Sequence, residues 1–336
     1  MPLRIMFVGE HPHHSAPTLT AARALIERAR CDVNFSEARE FGDTWEWYKL
    51  LKTPDAVIVV QYGAPSRFFR RQLALAALLR KPVIRWWVGS DVLNLLHDHR
   101  TRMAALAFNR IVTVNIAVAP HLCDELATVG IAATFIPSLL NPWPASVAPL
   151  SSLTKSLLVY LPSSRKDFYG FDILSEAVAL NPDIAFVVVA DETHSLAGYP
   201  NVTSLGWVGD MSAVWDCVGG LLRVTSHDGM PRMVLDALRR EKHVIYSWPL
   251  PGCRLARTLP EVLAAIEEFK VCEGGNRLGA EAAKTLLEPD PAIRFAQRIQ
   301  SELASPNLFP WCRAAWIIAA DTVRMKLRLG PHHSSA

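Results

Sequence analysis

Two aspartates, Asp228 and Asp236, stand eight residues apart across the start of a helix-like segment in the run RVTSHDGMPRMVLDALRREKHVIYS, residues 223–247. The polar turn Ser226-His227-Asp228-Gly229 opens the run, and Pro231 suits a first helical turn. Gly229 lets a backbone approach a ligand closely, and Met230 stands in the same turn. A helix N-terminus offers unpaired amide N–H groups and a positive dipole end, which suits phosphate. By the helical period, Asp236 lies two turns deeper, about 80° round from Asp228. Carboxylates at two depths accept hydrogen bonds from two sets of hydroxyls, with a diphosphate held between them. That is the chemistry of a nucleotide-sugar. Arg223, alone near the end of an apolar strand, has to find a charge partner. The bland alternatives are that Asp228 is a helix cap and Asp236 a solvated helix residue.

The elements that must position these groups alternate along the chain. Leu3–Gly9, 33–36, 56–62 (AVIVVQY), 82–88 (PVIRWWV), 111–118 and 134–137 read as strands. Helical patterns at 18–30, 66–80, 91–109 and from about His121 fall between them. Continuous apolar strands separated by helices imply a parallel sheet covered on both faces. The stretch NPWPASVAPLSSLTK, 141–155, breaks the pattern as a linker does. Alternation then restarts through strands at 157–161, 185–190, 202–207, 221–225 and 244–247. The expected fold class is α/β: two doubly wound, Rossmann-like domains in tandem, residues 1–145 and 155–290, facing a cleft. Helices over 291–304 and 310–329 close the chain, and 291–330 is expected to pack back on the first domain. The last helix is amphipathic and basic, so an anionic membrane surface is its other explanation. The closing PHHSSA reads as tag or tail and takes no part in the argument.

Composition bounds the rest. With 336 residues, half of them hydrophobic, the chain suits two globular domains. A formal charge of +3 is too small to argue for nucleic acid. Six scattered cysteines without a C-x-x-C indicate neither a disulfide framework nor a zinc site, and a cytoplasmic setting is expected. Met1 leads directly into strand-like LRIMFVG rather than a signal peptide, and no apolar run is long enough to span a bilayer. Glu10 and His11 begin EHPHH after the first strand, which reads as a polar loop lining a cleft more than as a metal site. His97-Asp98-His99 reads as a surface run. Trp86 and Trp87 read as core and cleft wall. Arg67, Arg70 and Arg71 with Phe68 and Phe69 are either a solvated helix start or a membrane-surface patch.

These fragments together resemble the retaining GT-B glycosyltransferases (group 1, family 4-like), and the resemblance covers nearly the whole chain. That class carries Glu-Gly-x-Pro ahead of a helix, a second Glu eight residues after the first, and then a small strand. Asp228-Gly229-Met230-Pro231, Asp236-Ala237 and His243-Val244-Ile245 fit the frame. The resemblance implies that Asp228 contacts the donor sugar and Asp236 the ribose. Asn201–Trp207 resembles the strand before the base-binding loop, and Tyr169-Gly170 stands where the class has Lys-Gly. PVIRWWVGSDV resembles a stretch ending His-Gly-x-Asp, which puts Gly89 and Ser90 on the acceptor side with Glu10 and His11.

The chain departs from the class in that both glutamates are aspartates, the lysine is Tyr169, and the upstream arginine position falls near Ser163. Arg165, Lys166 and Arg223 are then the cations available to a diphosphate. The usual histidine is Val88, which leaves Asp91 as the candidate base if one is used. The expected activity is a hexosyl transfer from a nucleotide-diphosphate sugar to an acceptor hydroxyl, with retention. No metal or other cofactor is expected, because cations and helix amides stabilise the leaving diphosphate. A glycan or lipid-linked acceptor, in cell-surface polysaccharide or glycolipid synthesis, implies peripheral contact with the inner face of a membrane. The alternatives are a non-catalytic GT-B-like subunit that binds glycan or a partner, and a nicotinamide-dependent dehydrogenase. Gly9-Glu10-His11-Pro12, with no G-x-G-x-x-G, argues against the last.

Overall fold

The structure, a computed structural model, describes residues 1–9, 16–37, 44–60, 67–139, 154–305 and 309–328. It divides into two compact units, Met1–Pro142 together with Pro289–Ala336, and Trp143–Glu288.

The first unit runs β1 (Arg4–Gly9), α1 (Ala16–Ala29), β2 (Asp32–Glu37), α2 (Thr44–Lys52), β3 (Ala56–Val59), α3 (Arg67–Leu78) and β4 (Val83–Trp87). It continues with α4 (Ser90–His97), α5 (His99–Asn109), β5 (Val114–Ala117), α6 (Pro120–Thr128) and β6 (Thr134–Phe135). The strands form one parallel sheet in the order β2-β1-β3-β4-β5-β6. The second unit runs β7 (Ser156–Tyr160), α7 (Phe171–Leu180), β8 (Ala185–Val189), β9 (Val202–Gly206), α8 (Ser212–Cys217) and β10 (Gly220–Arg223). Then follow α9 (Arg232–Arg239), β11 (His243–Tyr246), β12 (Arg254–Leu255), α10 (Leu259–Val271) and α11 (Arg277–Leu287). Its parallel sheet has the order β12-β11-β10-β7-β8-β9. Last come α12 (Pro291–Ala304) and α13 (Phe309–Arg328), which belong to the first unit.

The inner strands β1, β3, β4, β5, β7 and β10 are buried on both faces, which is why they are mainly apolar and do not alternate. The edge strands β2 and β9 are more polar and partly exposed. Met6 and Val8 of β1 share one apolar cluster with Trp47 and Leu51 of α2, Phe69 and Leu73 of α3, and Ala314 of α13. On the opposite face, Phe7 meets Trp86 edge-on, and Trp86 meets Phe295 of α12. α12 is tied down by an Arg28–Asp290 ion pair at 3.1 Å and by Arg294 donating to the Phe135 carbonyl. α13 packs on α3, where the Trp311 indole N–H donates to the Leu78 carbonyl at 3.1 Å.

Two expectations are corrected here. The single helix expected over 91–109 is two helices, because Asp98 leaves the helical conformation and accepts from the Arg100 and Thr101 amides as the N-cap of α5. Phe69 is not an exposed aromatic of a surface patch. It is a core residue, because it faces the sheet one turn before Leu73.

Candidate functional site

In the second sheet the chain steps outward from β7 through β8 to β9, then crosses to β10 on the other side of β7. Loops leaving the carboxyl ends of β7 and β10 therefore diverge, and in open α/β sheets that divergence is where ligands bind. β7 ends at Tyr160 and β10 at Arg223, so sequence places an aromatic phenol and a guanidinium side by side at this point.

The two loops are latched together. The Ser226 amide donates to the Phe168 carbonyl at 2.9 Å. Gly170 adopts a left-handed φ of 67°, and a Cβ there would lie 2.7 Å from Val224 Cγ1. No other residue type fits both demands without strain. On the far side, the Thr225 amide donates to Ser247 Oγ at 2.8 Å, and that hydroxyl donates back to the Thr225 carbonyl at 3.0 Å.

Within this frame Arg223 and Asp228 meet. The Arg223 Nε–H donates to Asp228 Oδ2 at 2.8 Å, with the side chains only 7% and 15% exposed. The Gly229 amide donates to Asp228 Oδ1 at 3.0 Å. The guanidinium carbon lies 5.4 Å from the ring centres of both Tyr160 and Tyr169. Burial works against the Arg223 charge, and Asp228 more than offsets it, so the guanidinium is held above its already high ordinary pKa. Tyr246, at the end of β11, is buried near the same pair. Burial first, and the Asp228 charge second, push its phenol well above the usual tyrosine value.

α9 begins beyond Asp228, with Pro231 as its N-cap residue and exposed Arg232 in its first position. Met230 is buried beneath the turn and His227 packs edge-on against Trp248. Asp236 is 44% exposed on α9, 3.7 Å from the buried Arg239 guanidinium. Desolvation raises its pKa, and Arg239, Arg232 and Arg240 pull the other way. The other expected cations are engaged locally. Arg165 stacks on Phe168 at 4.0 Å, and Lys166 pairs with Asp191 at 3.4 Å and bonds to Thr193 Oγ1.

Asp191 is a residue the sequence reading passed over. Its carboxylate is fully buried and accepts from Ser195, Thr193 and Ser163. Burial raises its pKa, but the hydrogen bonds from Ser195 and Thr193 overcome this and hold it well below the usual carboxylate range. Its sequence signal was an acidic pair, Asp191-Glu192, ahead of Thr193 and Ser195 just after an apolar strand. Tyr160, Tyr246 and Arg232 were passed over too, the tyrosines because a strand-terminal phenol looks like core.

No family model matches the chain, and no curated protein matches it in sequence. Solved structures do match. HepE from Anabaena, in complex with UDP, superposes with a TM-score of 0.62 at 15% identity, covering 90% of this chain and all of that one. Sucrose-phosphate synthase from Thermosynechococcus elongatus gives 0.64 at 12% identity over 90% of this chain and 100% of its own. The pneumococcal O-GlcNAc transferase GtfA, in complex with UDP and GlcNAc, gives 0.55 at 12% identity over 78% of this chain and 60% of its own. The fold is GT-B.

In the first unit of this GT-B chain the acceptor-side expectations divide. Asp91 does not stand open as a base. It is 2% exposed, and its Oδ1 accepts from the Val88, Gly89 and Val92 amides at 2.9–3.1 Å. Burial raises its pKa while Arg85 and those amides lower it, and its role is to fix the β4–α4 turn. Gly89 supports that turn with a φ of 132°, and Ser90, partly exposed, starts α4. Arg85, buried 3.9 Å from the Trp87 ring centre, has its pKa lowered to about 10 by desolvation, with Asp91 opposing. Glu10 and His11, with the rest of EHPHH, lie outside the described residues, as do the side chains of Arg67 and Phe68. Among the described residues no helix is long and apolar enough to cross a membrane, and no group of three or more His, Cys, Asp or Glu could hold a metal ion.

Proposed function

We propose that the chain is a glycosyltransferase that moves a hexosyl group from a nucleotide-diphosphate sugar to an acceptor hydroxyl with retention of configuration. The observation that carries the reading is the position of the Arg223–Asp228 pair at the topological switch point, directly ahead of the α9 N-terminus. Support comes from the GT-B fold and from relatives of that fold solved with UDP and with UDP-glucose.

In this reading the bond between the anomeric carbon and the diphosphate oxygen breaks, and negative charge develops on the leaving diphosphate. The amides at the start of α9 and the cations Arg232, Arg165 and Lys166 meet that charge. Arg223, with its Nε committed to Asp228, acts by orienting that carboxylate toward the sugar. The acceptor hydroxyl forms the new bond, and its proton passes to the leaving phosphate oxygen, since Asp91 is sequestered. Asp236, exposed on the same helix, takes the ribose hydroxyls. The acceptor is a glycan or a lipid-linked saccharide.

A panel of UDP-, GDP- and ADP-sugars, with and without lipid-linked acceptors, tests the activity by release of nucleoside diphosphate. Calorimetry with free nucleoside diphosphate tests the ribose assignment. Asp236→Ala should weaken binding by about 1–3 kcal/mol, the scale of a charged hydrogen bond, and unchanged affinity removes Asp236 from the site. One observation favours a second reading. Asp228 is turned inward to Arg223, shorter by a methylene than the class's glutamate. A non-catalytic subunit that binds sugar nucleotide without turnover would show affinity in calorimetry and no release with any donor.

A further inference from the structure

On the transferase reading, and resting on it, we propose that Tyr246 is a positioning residue of the switch-point site. With a sugar nucleotide bound, its hydroxyl donates to the Asp228 carboxylate and fixes that group toward the sugar. Arg223 holds the carboxylate from β10, and the phenol holds it from β11.

Strand register builds the position. Leu158, Leu221 and Val244 stand side by side on β7, β10 and β11, and all three share an apolar cluster with Val234, Ala237 and Leu238 of α9. Side chains two residues apart along a strand share a face. That face therefore ends in a row of Tyr160, Arg223 and Tyr246, the last two paired in register. Tyr246 also belongs to the cluster with α9, so its ring packs as core while its hydroxyl comes to the polar row. The strand end is anchored on both sides. The Tyr246 carbonyl accepts from the Ala256 amide at 2.9 Å, and the adjoining Ser247 hydroxyl is bonded to the Thr225 backbone.

The hydroxyl is the anomaly. Tyr246 is 2% exposed, and its Oη has no hydrogen-bond partner among the described residues. Only one other buried hydroxyl among them is in that condition, Thr18 in the first unit. A buried polar group left unpaired costs stability, and a phenylalanine in the same place avoids that cost. The neighbours of the hydroxyl give the reason to keep it. Asp228 and Arg223 are the charges beside it, and burial and then the Asp228 charge oppose its ionisation, so the phenol remains a donor. No hydrogen bond joins it to Asp228 in this state, where that carboxylate accepts from Arg223 Nε and the Gly229 amide. Hydrogen bonds of this kind are commonly out of line without ligand and tighten in the complex. The hydroxyl is thus a cost to the unliganded protein and a gain in the bound one.

Tyr246→Phe, which removes one oxygen and leaves the ring, is the test. Without ligand its thermal midpoint should equal or exceed that of wild type. Its kcat for nucleoside diphosphate release, across the panel of UDP-, GDP- and ADP-sugars, should fall roughly tenfold while KM for the donor moves little. Its calorimetric affinity for free nucleoside diphosphate should match wild type, because that ligand carries no sugar for Asp228 to meet. Unchanged kcat in Tyr246→Phe overturns the proposal and makes the hydroxyl an idle orphan. A midpoint that falls together with kcat, or a loss of nucleoside diphosphate affinity, overturns it in favour of a structural role. Wild type that releases nucleoside diphosphate from no donor overturns the transferase reading and this proposal together. Equal release by wild type and Tyr246→Phe overturns this proposal alone.

Discussion

Arg223 and Asp228 are buried together, and this changes what removing either one does. Arg223→Met leaves a carboxylate that is mostly out of water without its cation. Breaking one side of such a pair costs about 3–5 kcal/mol, whereas replacing both partners with apolar groups is often near neutral. Chemical denaturation should therefore show Arg223→Met strongly destabilised and Arg223→Met/Asp228→Leu largely recovered. A single variant within about 1 kcal/mol of wild type would show that the pair contributes nothing. The sequence made Arg223 conspicuous, because an arginine ending an apolar strand needs a counter-charge, and it placed Asp228 at the right turn. It did not show that the two answer each other. That follows from strand register and from the path of the turn after β10, neither of which spacing reveals. Asp91 looks available in the sequence for a related reason: an aspartate four residues past the end of a strand reads as open until the three amides that enclose it are seen.

At the scale of elements, the loops after β7, β8 and β10 are held by one glycine and one buried acid. Gly170→Ala puts a Cβ at a left-handed φ of 67° and against Val224. The conformational cost alone is about 1 kcal/mol, and the overlap adds roughly 1–3 kcal/mol. Adding Val224→Ala should restore the overlap part in denaturation and leave the conformational part. Full recovery would show that the left-handed conformation carries no cost. Asp191 sets an acid limit. Its folded pKa lies below that of the unfolded chain, about 3.9, so its stabilisation is complete above that pH and fades as pH falls below it. Wild type should thus lose stability on acidification below about pH 4 more steeply than Asp191→Asn. Parallel pH slopes would remove Asp191 from the acid response. Strands were the legible elements, since continuous apolar runs such as AVIVVQY fold as Ala56–Val59 in a doubly covered sheet. The boundary at Asp98 was not legible, because a cap and a mid-helix aspartate look alike until the side chain bonds its own following amides. Helices α2, α10 and α11 were passed over; α2 carries aromatics on two sides, so its apolar period is blurred.

At the scale of the whole molecule, the first unit depends on residues from both ends of the chain. α12 and α13 supply Phe295, Ile299 and Ala314 to its core. Deleting 289–336 uncovers Trp86 on one sheet face and, on the other, the side of α3 against which α13 packs. The truncated protein should bind a hydrophobic dye and lose the protease resistance of residues 1–142, while a fragment covering 143–288 survives limited digestion. Equal resistance of both regions would mean that the terminal helices are dispensable. Truncating Phe295 alone to Ala should cost about 3–5 kcal/mol, as large buried aromatics do.

The same discontinuity sets an order of birth. During synthesis the second unit has all its strands and helices once Glu288 has left the ribosome, because Trp143–Glu288 is a single uninterrupted stretch. The first unit starts earlier and finishes later. Its β1 to β6 sheet waits, with Trp86 uncovered until α12 emerges and the outer side of α3 until α13 follows. The nascent chain therefore carries an open apolar sheet past a finished neighbour, and this interval is when chaperone contact matters most to it.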